Sequence, residues 1–515
     1  MPAPRFVTSA QFGAPGLYIQ ELTPSPLVRG IQRFTVGIAG ECVKGPVNQG
    51  IEINSPARFV EVFGGRDYGS GGSIIGHIWR ALLNKTFGKL VIVRAAASDA
   101  IAASFTAESA AGGAGTAIMR VDASSVGLWG NNVAFRVADA SDGDANKFNL
   151  QVRYLGKVTT YENLSCQAGV DNLATVLGDD VANLVTLTKL ADGRPVNHAA
   201  ATDGADADGF VNLGEAVASF TSVAGSEGTI ADADFTGANK AIDELAGYKG
   251  LGIAFVAGRS NTTIKAALLT KSAASNDRLF LVCPDASNTS LAAAITEVAS
   301  LRDDRMVYCF NHPKTIDPET GETIAVEPTS WMAGILGQTD ADVHPGDVDN
   351  KTFMAGIAGL SYESLADGDF DSMDEAGICG IERHHAGGFV FVSGVTTNGK
   401  PIDGRRTRDY IISGISARLE GSNKKPNTQR RRDADLGAVN GWLEGLSKQE
   451  RFVAKRPDGK ADISIRNGAD VNTLTDWQSG KQKMVARIRT IPMNLIAHLE
   501  FEGGPAVTIT QVTEG

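Results

Sequence analysis

The sequence predicts a multidomain α/β protein that carries a β-rich module, and three observations lead there. Apolar runs alternate with helix-like stretches between residues 251 and 310. Glycine is frequent, 59 of 515 residues against a usual ~7%, while aromatic residues stay at 7%. The length itself, at ~150 residues per domain, suggests about three domains. An apolar share of 43% and a charged share of 21% suit a globular chain and argue against global disorder.

Read in order, residues 16–30 are extended and punctuated by Pro24 and Pro26, which push their predecessors away from the helical region. Leu17, Tyr18 and Ile19 form a short strand with too little around it to make a core. Ile31–Cys42 is a more apolar strand. Phe59–Phe63 is an apolar segment that ends at Gly64 and Gly65. Helical spacing runs from Ile74 to Phe87, through Ile75, Ile78, Trp79, Leu82 and Leu83, before the buried-strand run Leu90–Val93. Residues 95–115, mostly Ala, Gly and Ser, read as a domain junction. Short strands at Val133–Val137 and Asn149–Tyr154, between Asp, Asn and Gly turns, make a small β-rich module to about residue 235.

From Ala241 the rhythm changes. Leu251–Val256, Arg278–Cys283 and Arg305–Phe310 are strands, with helices at Thr263–Thr270 and Ser290–Leu301 between them, so this region is a set of βαβ units with a parallel sheet. Thr407–Glu420 and Leu436–Ala454 read as helices. Leu495–Phe501 alternates as a half-buried strand, and Ala506–Thr510 forms the last one.

The charge is divided along the chain. Lys plus Arg total 48 against 59 acidic residues, a net of -11, which puts nucleic-acid binding behind other readings. From Ile381 onward 21 basic residues meet 15 acidic ones, a net of +6, leaving -17 on the first 380. Such asymmetry implies that different faces meet different partners. The five cysteines, Cys42, Cys166, Cys283, Cys309 and Cys379, are scattered with no CxxC, which fits neither a disulfide framework nor a zinc site. No signal-peptide core and no 18-residue apolar run occur, so the expectation is a chain folded in a reducing cytoplasm and not inserted in a membrane.

The chemistry-bearing patterns are few. Each Gly-Lys pair, at Gly88, Gly156, Gly399, Gly459 and Gly480, lacks the following Ser or Thr of a P-loop, and no GxGxxG opens a helix. No GxSxG occurs; His312 follows a strand as a triad base would, but without a nucleophile signature. Glu382, Arg383, His384 and His385 are dense in metal-ligand types, yet neighbouring histidines on an extended segment point to opposite faces. Gly204–Glu215 partly imitates a calcium loop through Asp206, Asp208, Gly209 and Glu215, with glycine where the first Asp belongs. Asp367, Asp369 and Asp371 are a similar acidic turn. Lys424, Lys425 and Arg430–Arg432 form a basic segment without interleaved aromatics, read as a solvated or protein-facing loop. No catalytic, cofactor or metal site is expected.

The ends of the chain carry the recognisable pattern. Pro15–Glu21 reads PGxY-x-x-E, Val36–Gly40 is a glycine-flanked strand, Lys44–Asn48 is a KGPxN turn, and Phe59–Gly65 completes the N-terminal series. Further marks are Leu90–Arg94, Gly127–Asn132 (GLWGNN), Asp317–Gly321 and the RR-x-x-DYI stretch Arg405–Ile411. In this order and spacing the chain resembles the contractile-tail sheath proteins, of phage tails and of contractile bacteriocin-type devices.

That resemblance implies a structural subunit, not an enzyme, with no cofactor. It implies a subtilisin-like α/β domain without a triad, an α+β inner domain made from both chain ends, an outward β-rich insertion, and extended terminal arms for strand exchange. The expected divisions are an arm at 1–30, the start of the inner region at 31–100, the insertion at 101–235, the subtilisin-like domain at 236–380, the tube-facing domain at 381–503 and an exchange strand at 504–515. The implied partners are further copies in hexameric rings of a helical polymer, a tail tube protein, and baseplate and tail terminator proteins, without nucleic acid or membrane insertion. The setting is a virion tail assembled in the host cytoplasm. Leu17, Tyr18, Ile19, Val507 and Ile509 are the expected exchange residues. Lys448, Arg451, Lys455 and Arg456 are expected on one helix facing the tube. The alternatives are a hydrolase on a subtilisin-like domain, or the sheath of a bacteriocin- or secretion-type device.

Overall fold

A computed structural model of the chain describes residues 16–21, 35–65, 89–110, 115–198, 204–215, 221–248, 250, 252–275, 277–285, 290–316, 321–347, 354, 356–362, 365–385, 387–419, 428–466, 468, 470, 482–491, 496–503 and 506–512. The helical spacing of Ile74–Phe87 lies outside them. The first strands are β1 (Gly16–Glu21), β2 (Thr35–Glu41), β3 (Gly50–Ile53) and β4 (Lys89–Ala95). Leu90–Val93 are fully buried, as in a strand covered on both faces. Phe59–Phe63 belong to a helix, α1 (Pro56–Phe63). Ser55 starts it by accepting the Arg58 N–H, Pro56 suits its first turn, and Gly64, at φ 86°, ends it. The chain divides into two units, residues 39–77 with 92–244, and residues 1–38 with 78–91 and 245–515.

The first of these is the β-rich unit. Its strands are β5 (Ser104–Glu108), β6 (Ala117–Ala123), β7 (Ala134–Asp139), β8 (Phe148–Tyr154), β9 (Lys157–Leu164), β10 (Val185–Lys189), β11 (Val211–Asn212) and β12 (Ser222–Val223), with short helices α2 (Leu173–Leu177) and α3 (Ala233–Thr236). They form two four-stranded sheets, ordered β10-β6-β5-β12 and β11-β7-β8-β9, with antiparallel pairing in both. Alternate residues such as Phe148, Leu150 and Val152 enter one core with Phe105, Val121, Phe135 and Leu164. Small residues within the stretch 95–115, expected to mark a junction, contribute to this core. Ala103 and Ala107 flank or lie on β5 and are buried, and a Cβ on Gly130 would stand only 2.8 Å from Ala123 and 3.0 Å from Ala103. Small side chains there permit close approach of the backbone.

Arg94 ties this unit together. Only 1% exposed, its guanidinium donates to the carbonyls of Cys42 (3.0 Å), Gly45 (2.9 Å) and Val126 (2.9 Å). Its own carbonyl accepts the Asn48 N–H at 2.8 Å. The KGPxN turn, β4 and the GLWGNN stretch therefore meet on one side chain. Asn131 adds a reciprocal pair with the Gly225 backbone, at 3.0 and 2.7 Å. Lys44 is also buried. Its ammonium donates to the Glu61 carbonyl at 2.6 Å and lies 5.7 Å from the Trp129 ring centroid and 5.6 Å from that of Tyr154. Burial pulls its pKa down to about 8, against the pull of Glu61 and with the help of Lys157.

The second unit begins its main run with α4 (Ala241–Gly247), a helix whose first residues still belong to the β-rich unit, and β13 (Ile253–Val256). It continues with α5 (Thr262–Ala274), β14 (Leu279–Val282), α6 (Leu291–Val298) and β15 (Met306–Phe310). Next come β16 (Pro313–Ile316), β17 (Thr323–Ala325), α7 (Thr329–Gln338), β18 (Gly359–Leu360), α8 (Asp367–Ala376), β19 (Ile378–Arg383) and β20 (Phe389–Phe391). Strands β13, β14, β15 and β19 run parallel, and β20 adds antiparallel to β19. Every residue of β13, β14 and β15 is buried, so the βαβ reading holds. Asn261 and Ser290 cap the two crossover helices by accepting the Ile264 and Ala293 N–H groups. The acidic stretch at Asp367 is the first turn of α8, where carboxylates suit the helix dipole.

The chain ends with α9 (Ile402–Leu419), α10 (Gln429–Lys448), β21 (Ile463–Arg466), β22 (Gln482–Arg489), β23 (Ile496–Gly503) and β24 (Ala506–Val512). The helices share a core with β22, in which Ile411, Ile415, Val439, Leu443 and Phe452 surround Met484, Ala486 and Ile488. Gly414 admits the Trp442 ring, which would stand 2.1 Å from a Cβ placed there. The expected helix over Leu436–Ala454 is corrected at both ends. Thr428 caps an earlier start by accepting the Arg431 N–H, so Arg430–Arg432 lie in the first turn rather than in a loop. Glu450 and Phe452, at φ 57° and 65°, cannot continue a helix past Lys448.

The RR-x-x-DYI stretch lies in α9 and joins it to the parallel sheet. Asp409, 2% exposed, accepts from Arg305 at 2.7 and 2.8 Å and from Arg405 at 3.2 Å. Burial alone would raise its pKa, but the two guanidinium charges hold it below the ordinary carboxylate value. Arg406 donates to the carbonyls of Leu336 (2.7 Å) and Thr339 (2.8 Å), closing the end of α7.

Breaking a buried ion pair costs ~3–5 kcal/mol, whereas replacing both partners by apolar residues is often near neutral. Chemical unfolding of Asp409→Leu should therefore show a loss of that order, and adding Arg305→Met should recover much of it. Lys44 gives a prediction of opposite kind. The folded chain loses this proton near pH 8 and the unfolded chain near 10.5, so between those values the unfolded state holds more protons and stability rises with pH. Thermal melts from pH 7 to 10.5 should show the wild type gaining on Lys44→Met across this window. A constant difference would sink the assignment.

Candidate assembly surfaces and the crevice of the parallel sheet

The carboxyl ends of parallel strands are where an α/β fold places a ligand or catalytic site. Here that end carries Gly258, Cys283, Asp285 and His312, with Lys265 from α5, Glu297 from α6 and Glu327 nearby. Several of its groups are engaged with one another. Both oxygens of Glu327 accept the Gly258 N–H, at 3.0 and 2.9 Å, and burial lifts its carboxyl to about 7. The Lys265 ammonium meets Glu297 at 2.6 Å, and the Tyr308 hydroxyl donates to the other Glu297 oxygen at 2.6 Å. Burial lowers the pKa of His312, and among the described residues its buried Nε2 has no hydrogen-bond partner. A triad needs a hydroxyl or thiol on that nitrogen. Burial also drives the Cys283 thiol well up, away from nucleophilic thiolate.

The remaining sequence candidates resolve similarly. All five cysteines are buried and free; Cys309 and Cys379 sit opposite each other on β15 and β19. In the calcium-like loop, Arg153 supplies the positive charge, pairing with Asp206, whose other oxygen accepts the Asp208 and Phe210 N–H groups. His384 and His385 do not point apart, because His385 enters a turn; their ring centroids are 4.0 Å apart. Among the described residues no group of three or more His, Cys, Asp or Glu is placed to hold a metal, and no helix is long and apolar enough to cross a membrane.

The four basic residues expected on one helix are not on one helix. Lys448 is the last residue of α10 and is exposed. Arg451 lies in the turn beyond and grips both Asp340, at 2.7 Å, and Asp342, whose carboxylates hold the guanidinium pKa above its ordinary value. Lys455 meets Glu450 at 2.6 Å, and Arg456 meets Asp462 at 3.3 Å. Three of the four are thus engaged within the chain, through pairings 109 to 111 residues apart for Arg451 that no local pattern foretells.

Both ends of the chain meet in one sheet, ordered β1-β24-β23-β22-β21. Strands β21 to β24 pair antiparallel in succession. Strand β1 then adds parallel to β24, with Leu17 opposite Val507, Tyr18 opposite Thr508 and Ile19 opposite Ile509. Ile19, Ile509, Phe501 and Met484 fall in one register row, whose last member is buried in the helical core. The structure therefore brings together the two groups of residues singled out at the ends, within a single chain.

No protein-family model and no curated protein matches this sequence. Solved structures do. The sheath tail protein of Listeria innocua superimposes over 93% of this chain and 95% of its own, with a TM-score of 0.63 at 13% identity. That of Desulfitobacterium hafniense covers 92% and 97%, with a TM-score of 0.58 at 11% identity. The fold is that of a sheath tail protein. A third match is the sheath of the PVC extracellular contractile injection system in its contracted state, over 93% and 94% with a TM-score of 0.50 at 11% identity. The sheath fold extends over both units of the chain, and three of the segments that resembled it, Leu90–Arg94, Gly127–Asn132 and Arg405–Ile411, contain Arg94, Asn131 and Asp409, whose side chains tie elements together within a unit.

Proposed function

We propose that this chain is the structural subunit of a contractile sheath. The observation that carries the reading is the near full-length likeness to two sheath tail proteins. In this reading copies assemble as hexameric rings into a helical polymer around a tail tube, bounded by baseplate and tail terminator proteins. Triggering at the baseplate releases an extended, metastable lattice into a wider, shorter one that drives the tube through a cell envelope. No nucleotide site is needed, which agrees with the missing P-loop. The setting is a phage tail assembled in the host cytoplasm, or a related injection device.

The parallel α/β part is read as a subtilisin-like domain whose crevice has become structural, since Glu327 occupies the Gly258 N–H and His312 lacks a nucleophile. The β-rich unit is read as the outward insertion. The terminal strands are read as exchange elements. A sheet edge leaves a row of backbone groups unpaired, and a strand from a neighbour satisfies them by addition. The β1 and β24 register supplies such an edge and its matching strand. The tube is met by the exposed end of α10 at Lys448, with Arg451, Lys455 and Arg456 bracing the turn behind it through Asp340, Asp342, Glu450 and Asp462.

Negative-stain electron microscopy of the purified protein at rising concentration, with and without a preformed tube, should show hollow striated tubes of uniform width. Deleting residues 1–22 or 504–515 should leave soluble subunits that no longer polymerise. Monodisperse subunits under every condition would count against the reading. Lys448→Glu should weaken tube attachment severalfold while polymerisation continues. Loss of polymerisation, or unchanged attachment in a co-sedimentation assay, would remove Lys448 from the tube contact.

A further inference from the structure

Among the described residues, strand β1 pairs in its sheet with β24 only and forms the sheet's outer edge. The pairing is parallel and joins the first strand of the chain to the last, over the six positions from Gly16 opposite Ala506 to Glu21 opposite Gln511. No tight turn makes a parallel pair. Strand β1 is thus a remote segment docked onto an edge that β21 to β24 build by themselves.

We propose that this docking is the closed, resting form of the exchange edge. A free subunit caps its own β24 with its own β1, and a second copy of the chain joins the lattice only by displacing that strand. The inference rests on the strand-exchange reading above and adds what occupies the edge before assembly.

Energetics favour such a latch. A neighbour's β1 has the same sequence and register, so exchange replaces each backbone hydrogen bond by an identical one and changes the bond count by nothing. This is the logic of domain swapping. The competition is decided by concentration. A strand tethered by a short flexible linker competes at an effective concentration in the millimolar range. Subunits in solution at micromolar concentration are then disfavoured by ~10³ when only one strand is swapped. Further contacts of a growing lattice, held on a template, must tip the balance. Residues 22–34, between β1 and β2, set the upper limit of the strand's reach at about 45 Å. The device also solves a hazard. An exposed, unpaired β24 edge would invite indiscriminate pairing, and self-capping covers the β24 backbone groups until a neighbour arrives.

The test is a reversible staple across the register. Tyr18→Cys with Thr508→Cys places two thiols opposite each other, and the five native cysteines are all buried. The full-length variant is oxidised as dilute subunits, confirmed as an intrachain crosslink on a non-reducing gel, and compared with its reduced form for tube formation by light scattering and electron microscopy. The expected result is a rate of assembly at least tenfold lower when stapled, restored by reductant. Tubes grown from the reduced variant and then oxidised should give ladders of crosslinked chains. Equal assembly of stapled and reduced subunits would overturn the latch. So would intrachain crosslinks alone in oxidised tubes, which would also end the exchange reading. Absence of tubes from both the reduced variant and the unmodified protein would overturn the sheath reading, and the latch with it. Gln20→Cys with Thr510→Cys, in the same register, repeats the test if the first pair impairs folding.

Discussion

The second unit depends on a buried carboxylate. Asp409 sits on α9, and its partner Arg305 sits at the entrance to β15, so one ion pair joins the C-terminal helices to the parallel sheet. A buried charge is costly unless fully compensated. Two guanidinium groups provide that compensation, and their geometry fixes the rotation and height of α9 more tightly than apolar contact would. Once α9 is fixed, Gly414 receives Trp442, the pair of helices closes over β22, and β22 sets the register of β23 and β24. Arg94 does the equivalent work in the β-rich unit with neutral carbonyls in place of a carboxylate. A chain with 59 glycines and few aromatics has little large apolar surface with which to position its loops, and polar knots take over that task.

Local periodicity revealed what local forces determine. The continuous apolar runs of β13, β14 and β15 and the helices between them were legible because a covered parallel strand has no polar face to hide. The bounds of α10 were not. The Thr428 cap looked like part of a basic loop, and the positive φ of Glu450 and Phe452 leaves no composition signal. Ala103 resembled part of a junction by composition, yet it is buried where Gly130 approaches closely. Motifs at Arg94, Asn131 and Asp409 were visible as a family resemblance. Their role as internal knots was not, because each depends on partners far away in sequence, 104 residues in the case of Arg305 and Asp409.

The crevice at the ends of the parallel strands has most of its polar groups engaged within the chain. Oxyanion stabilisation needs backbone N–H groups aimed at an empty position. Glu327 fills the position at Gly258 with its own carboxyl oxygens, and Glu297 gathers Lys265 and Tyr308 into a second set. These contacts stiffen the loops that leave the sheet.

Charge in the C-terminal region follows the same economy. Its net of +6 looks like a broad basic face in sequence, yet Arg451 is held by Asp340 and Asp342, and Lys455 and Arg456 have acids of their own. What is left for a partner is narrower than the count implies. Exposed ion pairs contribute ~0–1 kcal/mol each. A contact built from one or two of them per subunit is weak singly, yet repeated along a polymer it becomes strong in sum. Such a contact can also be lost one ring at a time. In the proposed sheath, a lattice whose subunits stay joined by strands while each surrenders a weak grip would change its pitch without coming apart, because the terminal strands and Lys448 lie on different elements of the same unit.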